Sequence, residues 1–204
     1  MSRLPLAPFL ALMITVGALG GAAQADSHVT KYDKPVALPA FSLTDHTGKP
    51  FTADSFKGHW SLAAIGYTMC PDVCPFILNN LAAVEAQVKK RLGAAHLPQV
   101  VFVSVDPKRD KAGLGQYVSS FGPEFLGATG ARAEIDKFVK GIGGFYHLGH
   151  ADKDGNYNVA HSAFVIVVGP DGRIRGKMMP PLKPASIADD LARMQTTYAK
   201  RAQN

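Results

Sequence analysis

The sequence predicts an α/β fold in which helices cover a central sheet in three layers. Apolar, β-branched runs such as "QVVFVSV" (99–105) have the composition of buried central strands. Runs with apolar residues at helical spacing also occur and stop at glycine, as in 75–93. Two strands joined at Pro170-Asp171-Gly172 and a final amphipathic helix complete the pattern. Strands that alternate with helices are typical of a layered α/β domain.

The remaining elements follow in chain order. Residues 41–52 alternate in polarity and turn at Thr47-Gly48, which predicts an N-terminal hairpin. The apolar run 59–68 predicts a buried strand before the first long helix. After the strand at 99–105 we expect, in order, a helix in 111–122, a short strand in 125–130, a helix in 131–144, strand pieces in 145–149 and 156–160, two strands in 162–178 and a helix from Ala185.

Composition narrows the classes of function. Apolar residues make up 47% of the chain and charged residues 19%, which indicates a globular domain instead of a disordered one. The net charge is +6, yet the sequence has no stripe of basic and aromatic residues, so we do not expect nucleic-acid binding. A basic face toward an acidic partner or an anionic membrane surface is compatible with this charge.

The first 25 residues have the pattern of an export signal. One charged residue, Arg3, precedes an apolar stretch, which ends in the small residues Ala23-Gln24-Ala25. We therefore expect a signal peptide over 1–25, with an uncleaved N-terminal anchor as the alternative. The polar, proline-containing segment 26–39 then predicts a linker, and residues 40–200 the folded domain.

Both cysteines of the chain, Cys70 and Cys74, lie in the segment "GYTMCPDVCPF" (66–76), and each precedes a proline. In an exported protein two thiols this close tend to form a disulfide. A disulfide that closes so small a loop adds little stability. The pair therefore predicts chemistry and not a structural cross-link.

A soft-metal site is the chemistry that the cysteine pair favours. Pro75 suits the first position of a helix, which makes Cys74 the predicted N-cap and places Cys70 in the loop before it. The positive end of the helix dipole would favour thiolates at this position. Two thiolates suit Cu(I), and an added imidazole also suits Cu(II). We therefore expect a histidine from elsewhere in the chain to complete the site.

His161 is the first candidate among the seven histidines. It stands immediately before the apolar strand predicted at 162–168, which in a thioredoxin-like sheet neighbours the first central strand. His147 and His150, which flank a strand piece, remain alternatives. Three methionines offer a further soft sulfur, although methionine more often fills gaps in a core: Met69, Met178 and Met179.

Three segments, taken together, resemble the SCO/SenC family: "GYTMCPDVCPFILNNLAAV" (66–84), "VFVSVDPKRD" (101–110) and "VAHSAFVIVVGPDGRIRGKM" (159–178). The resemblance covers roughly residues 35–200. It implies a thioredoxin-like fold, an N-terminal anchor or signal, location in the bacterial periplasm, and copper bound by Cys70, Cys74 and His161. It also implies that Asp106 and Asp110 lie in a loop near the site, either supporting it or facing a partner.

The function that the resemblance implies is that of a copper metallochaperone, not of an enzyme with turnover. It would assist assembly of the binuclear copper centre of a respiratory cytochrome c oxidase. Its partners would be the copper-accepting oxidase subunit and another copper donor protein, and the chain would be a monomer. The alternative is a thiol–disulfide oxidoreductase that uses the cysteine pair to reduce the partner's cysteines. The C-x-x-x-C spacing, and Ala160-His161-Ser162 where such enzymes carry a proline, favour the metal site.

Overall fold

The structure, a computed structural model, describes residues 27–203, so the expected signal peptide lies outside the described residues. The strands are β1 (Thr30–Ala37), β2 (Ser42–Asp45), β3 (Pro50–Thr52), β4 (Ser61–Gly66), β5 (Gln99–Ser104), β6 (Leu126–Thr129), β7 (Tyr146–Leu148), β8 (Val159–His161), β9 (Val165–Val168) and β10 (Arg173–Met178). The helices are α1 (Val73–Leu92), α2 (Pro107–Asp110), α3 (Leu114–Ser119), α4 (Arg132–Gly141) and α5 (Pro184–Ala202). Within 27–203 no helix is both long and apolar enough to cross a membrane.

Eight strands form one mixed sheet in the order β1-β10-β9-β4-β5-β6-β2-β3. β4, β5 and β6 run parallel, and β9 lies antiparallel to β4 on the other side. Every residue of β4 and β9 is buried, which explains why these strands are continuous apolar runs without alternation. The pairing of β2 with β3 confirms the predicted N-terminal hairpin. β7 and β8 pair with each other in a separate two-stranded sheet.

Helices cover the sheet, as the predicted sandwich requires. α1 packs against α5, and α4 packs against β2. An aromatic cluster fills the space beneath α4, where the ring of Phe138 lies 5.2 Å from that of Phe41 and stacks on Phe56. The second predicted helix is shorter than expected, since α3 starts at Leu114, and the four-residue α2 precedes it. Asp106-Pro107 starts α2, because proline fits a first helical turn.

The segment 26–39, for which we expected a linker, contains the edge strand β1. β1 pairs antiparallel with β10, more than a hundred residues away in the chain. Most of its side chains are exposed, and its polar composition with Lys34 and Pro35 is that of an edge strand protected against further pairing. The start of this segment is held by Asp190 of α5, whose carboxylate accepts hydrogen bonds from the backbone N–H groups of His28 and Val29.

Three connections meet at one end of the sheet, where the parallel strands have their carboxyl ends. β4 leads into α1 at this edge, β5 leads into α2, and β9 starts here because it runs antiparallel to β4. In open α/β sheets, ligand sites form in the crevice beyond the carboxyl ends of the strands. The chain thus places the cysteine segment, the "VDPKRD" segment and the residues before β9 next to one another.

Glu85 on α1 generates a prediction about stability and pH. Burial, reinforced by the carboxylate of Glu124, raises the pKa of Glu85 from 4.5 to about 7. The folded protein therefore binds more protons than the unfolded chain between these two values, and it loses stability as the pH rises through this window. Glu85→Gln stays neutral and should raise the melting temperature by about 2–4 °C near pH 8, with no gain near pH 4.

Glu134→Gln is the control for this measurement. Hydrogen bonds from Lys137 and from the backbone of Ser42 lower the pKa of Glu134, so its ionised form stabilises the fold. Neutralising Glu134 should not raise the melting temperature at either pH. A Glu85→Gln protein that melts at the same temperature as the parent at the higher pH contradicts the pKa shift.

Candidate metal centre

Cys70, Cys74 and His161 come together beyond the carboxyl end of β4. Their ligand atoms, two Sγ and one ring nitrogen, all lie within 4.8 Å of one another. The Sγ of Cys74 lies 3.3 Å from Nε2 of His161. Of the residues described, no other set of three or more His, Cys, Asp or Glu is grouped in this way. His147 and His150, the alternative histidines, are exposed and lie outside the cluster.

The loop between β4 and α1 presents the two sulfurs. The backbone N–H of Cys70 donates to the carbonyl of Tyr67 at 3.2 Å, which turns the chain back toward the helix. α1 begins at Val73 with Asp72 as its N-cap, so Cys74 is not the N-cap that we expected but lies in the first helical turn. The turn can include Pro75 because the first N–H groups of a helix have no partner inside the helix. Cys74 therefore points into the protein, with 1% of its surface exposed.

His161 is oriented by the residue that follows it. Its Nδ1 lies 3.0 Å from the carbonyl oxygen of Ser162, which can only accept, so Nδ1 carries the proton and Nε2 presents a lone pair toward Cys74. Burial lowers the pKa of His161, and the hydrogen bond to Ser162 opposes this only in part. The ring is therefore neutral at pH 7, the form in which an imidazole binds a metal ion.

The structure corrects the expected electrostatics of the cysteine pair. Burial raises the pKa of the Cys74 thiol, whereas the backbone N–H of Tyr67 acts in the opposite direction. The helix start therefore does not hold this sulfur as a thiolate in the absence of a cation. Both thiols are free in the structure. A metal ion that binds here must displace the proton of Cys74.

Gly66, the last residue of β4, leaves the space that the Cys74 sulfur occupies. A Cβ at this position would lie 2.5 Å from Cys74 Sγ and 2.7 Å from the ring of Phe102. Both distances are below any van der Waals contact, and both neighbours are buried. The absence of a side chain at residue 66 is thus a steric condition for the sulfur position.

The two aspartates of "VDPKRD" are buried, which favours the first of the two expected roles, support of the site. Asp110 accepts hydrogen bonds from the backbone N–H and the hydroxyl of Thr68, at 2.9 and 2.8 Å, and so holds the loop two residues before Cys70. Asp106 forms an ion pair with Arg109 and accepts a hydrogen bond from the hydroxyl of Tyr157 at 3.0 Å. Asp110 therefore supports the cysteine loop directly, whereas Asp106 acts through Arg109 and Tyr157.

Two residues that the sequence reasoning did not single out contact this region. The ring of Tyr67 meets that of His161 edge-on, with centres 5.9 Å apart. The guanidinium of Arg109 lies over the rings of Tyr67 and Tyr157. Both belong to segments quoted above, yet only the fold shows what they touch. Of the three candidate methionines, Met178 fills the core, while Met69 and Met179 are exposed.

Comparison with known proteins gives the class of the chain. The sequence model of the SCO1/SenC family matches residues 29–196. The human mitochondrial protein SCO1 homolog is 34% identical over 172 residues, which cover 83% of this chain but only 56% of that protein. The chain thus spans little more than half the length of this curated relative.

Solved structures agree in fold. The structure of ScoI from Bradyrhizobium japonicum with copper bound has 36% identity and a TM-score of 0.69, and the match covers 78% of this chain and 99% of that one. Yeast Sco1 with copper bound has 27% identity and a TM-score of 0.74, over 83% of this chain and 96% of that one. The fold is thioredoxin-like, as expected. The chain belongs to the SCO1/SenC family.

Gly66→Ala should disturb the sulfur position. The added methyl group must displace Cys74 Sγ or the Phe102 ring, which should cost about 1–3 kcal/mol of stability. It should also make the Cys74 thiol react faster with a thiol reagent, because the sulfur leaves its buried slot. Denaturant unfolding and mass-spectrometric labelling rates measure the two effects.

Gly113→Ala provides the matched control, since no atom lies within 4 Å of a Cβ at that position. It should change neither stability nor the labelling rate of Cys74 by a comparable amount. If Gly66→Ala behaves like Gly113→Ala in both measurements, Gly66 does not determine where the sulfur lies.

Proposed function

We propose that this protein binds one copper ion through Cys70, Cys74 and His161. The observation that carries the proposal is the approach of two sulfurs and one imidazole nitrogen to within 4.8 Å of one another. Two thiolates and an imidazole are a soft donor set that suits Cu(I) and, through the nitrogen, Cu(II). The copper-bound structures of two related proteins support the choice of metal.

The role we propose is that of a metallochaperone that assists assembly of the binuclear copper centre of a respiratory cytochrome c oxidase. Three protein ligands leave a copper ion able to accept a further ligand, and Cys70 is the more exposed of the two cysteines, at 9% against 1%, so a partner's cysteine would approach at Cys70. The ion then passes by ligand exchange: each new copper–sulfur bond replaces one bond to this protein, and no electron is transferred. Each of the partner's thiols that binds copper loses its proton, and each sulfur of this protein that releases copper regains one.

The partners in this proposal are the copper-accepting subunit of the oxidase and a second protein that supplies copper. Membership of the SCO1/SenC family supports both. We further propose that the chain acts as a monomer in the bacterial periplasm, after export directed by residues 1–25. The chain is then either released from the membrane or held there by its N-terminus.

Removing any one ligand should abolish tight copper binding. The parent protein should retain about one copper per chain after dialysis against a competing chelator, whereas Cys70→Ser, Cys74→Ser and His161→Ala should each lose it, because two ligands hold copper less tightly than three. His147→Ala is the control, since His147 is exposed and lies outside the cluster. Full retention of copper by His161→Ala would exclude His161 from the site.

A thiol–disulfide oxidoreductase is the second candidate, because both thiols are free and their sulfurs lie within 4.8 Å of each other. In that reaction the two thiols of this protein would become a disulfide. The partner's disulfide would take up the two electrons and two protons and become two thiols. Such a step requires the metal-free protein.

Turnover separates the two candidates. Metal-free protein, supplied with excess small-molecule dithiol, should reduce a disulfide-bonded peptide no faster than the dithiol alone. Copper-loaded protein should instead transfer about one ion to an acceptor with two cysteines. Many rounds of peptide reduction per protein molecule, lost in Cys70→Ser, would favour the oxidoreductase over the metallochaperone.

A further inference from the structure

We propose that Arg109 positions the His161 imidazole for copper. In this proposal Arg109 joins the strand that carries His161 to the loop that carries the cysteines. The inference rests on the copper site of the proposed function and adds a residue that touches none of the three ligands. We call the contacts among Asp106, Arg109, Tyr157 and Tyr67 the Arg109 bridge.

One end of the bridge is anchored in the core. Arg109 lies in α2, and its Nε pairs with the carboxylate of Asp106, whose side chain is only 1% exposed. The Arg109 side chain itself is 15% exposed. Partners that have lost their solvent hold their geometry better than a surface ion pair does, because water cannot replace either group. The guanidinium is therefore fixed relative to β5 and α2.

The other end of the bridge reaches the segment that leads to His161. Nη1 of Arg109 donates to the carbonyl oxygen of Tyr157 at 2.8 Å, and the guanidinium carbon lies 3.7 Å from the centre of the Tyr157 ring. The hydroxyl of Tyr157 also donates to Asp106 at 3.0 Å, so Tyr157 contacts both members of the Arg109–Asp106 ion pair. Tyr157 precedes His161 by four residues, and β8 begins two residues after Tyr157. The bridge thus determines where β8 starts.

Tyr67 connects the same guanidinium to the ligands. Its ring centre lies 5.4 Å from the Arg109 guanidinium carbon, within the range of a cation–π contact. The ring also meets the His161 ring edge-on, and the Tyr67 carbonyl accepts from the N–H of Cys70. One planar cation therefore contacts both the residue that supports Cys70 and the segment that delivers His161.

The strand that carries His161 lies outside the main sheet, although it contacts β4 and buries Val159. β8 pairs only with β7, and these two three-residue strands form their own sheet apart from the main one. A two-stranded sheet is marginal without further contacts. The bridge supplies such contacts at the start of β8, on the side that faces the cysteine loop. Without it, the imidazole should sample positions away from Cys74.

Arg109→Lys is the first test variant. Lysine keeps the positive charge beside Asp106, so no buried carboxylate is left without a cation. It cannot, however, bind two acceptors in one plane and cover an aromatic ring at the same time. Tyr157→Leu is the second variant; it removes the ring and the hydroxyl but leaves every charge in place. Arg109→Lys thus removes the planar cation, and Tyr157→Leu removes the ring and the hydroxyl that contact Arg109 and Asp106.

Copper titrations with competing chelators should show an effect that depends on oxidation state. The affinity for Cu(II) should fall about 10- to 100-fold in both variants, the range expected when a group that orients a metal ligand is lost. The affinity for Cu(I) should fall less, because two thiolates satisfy this ion. The nitrogen coupling in the Cu(II) electron paramagnetic resonance spectrum should weaken. General destabilisation would not distinguish the two ions.

Two controls make the test specific. Arg175→Lys is matched, because Arg175 also lies over a tyrosine ring, that of Tyr198, and pairs with Asp171, and its side chain is 18% exposed. This pair lies toward the other end of the sheet, and the variant should bind copper as the parent does. His161→Ala should still bind Cu(II) weakly through the two sulfurs, and in that background Arg109→Lys should not lower this weaker affinity further, because the bridge acts through the missing ring.

Hydrogen exchange of the copper-free protein tests the bridge independently of metal binding. Backbone amides of β8 should exchange faster in Arg109→Lys than in Arg175→Lys. Unchanged Cu(II) affinity in Arg109→Lys, or an equal loss in the His161→Ala background, overturns the proposal. A parent protein that binds no copper would contradict the proposed function, and the exchange rates would still decide whether Arg109 holds β8.

Discussion

The site depends on one contact, the 3.3 Å approach of Cys74 Sγ to Nε2 of His161 across 87 residues of sequence. Several independent conditions must hold together for this contact to form. β9 must lie beside β4, so that the chain before β9 reaches the cysteine loop. Gly66 must have no side chain, so that the sulfur fits. The carbonyl oxygen of Ser162 must accept a hydrogen bond from the protonated Nδ1, so that Nε2 keeps its lone pair free.

The surroundings of the contact disfavour negative charge on sulfur unless a cation is present. Burial raises the pKa of Cys74, and the other cysteine and Asp110 add to the effect. The negative charges of the second sulfur and of Asp110, unlike burial, attract a metal ion, which would cancel the repulsion between the anions and allow the thiol to lose its proton. The carboxylate of Asp110 is tolerated in the core because three donors, two of them from Thr68 and one from Ser104, satisfy it. An arrangement of this kind favours a cation over a bare thiolate pair.

The supports of the two halves of the site differ in kind. The cysteine loop is held between β4 and α1, in the middle of the sheet, and hydrogen bonds from Thr68 to Asp110 fix it further. His161 lies on a small separate sheet that depends on contacts at its start and its end. In the transfer proposed above, the imidazole could leave a bound ion while the sulfurs keep their positions.

How far the sequence predicts this molecule varies from one element to the next. The central strands, the hairpin at 41–52 and the long helices follow local patterns, and the structure confirms them with shifts of a few residues. The linker assigned to 26–39 was wrong, because β1 is a strand only through its pairing with β10. The N-cap assigned to Cys74 was also wrong, since Val73 already joins the helix. The first error arose because pairing with a strand that is distant in the sequence is not visible in the local pattern. The second arose because sequence patterns do not fix the start of a helix to within one or two residues.

The sequence by itself determined which atoms were available: two sulfurs four residues apart before a helix, and an imidazole at the entrance of a buried strand. Only the tertiary structure decided that His161, and neither His147 nor His150, meets the cysteines. It also decided that burial outweighs the helix dipole at Cys74, and that Arg109 contacts both sides of the site. The reason is that spacing along the chain is a local property, whereas burial and contact between distant segments depend on how the strands are ordered in the sheet.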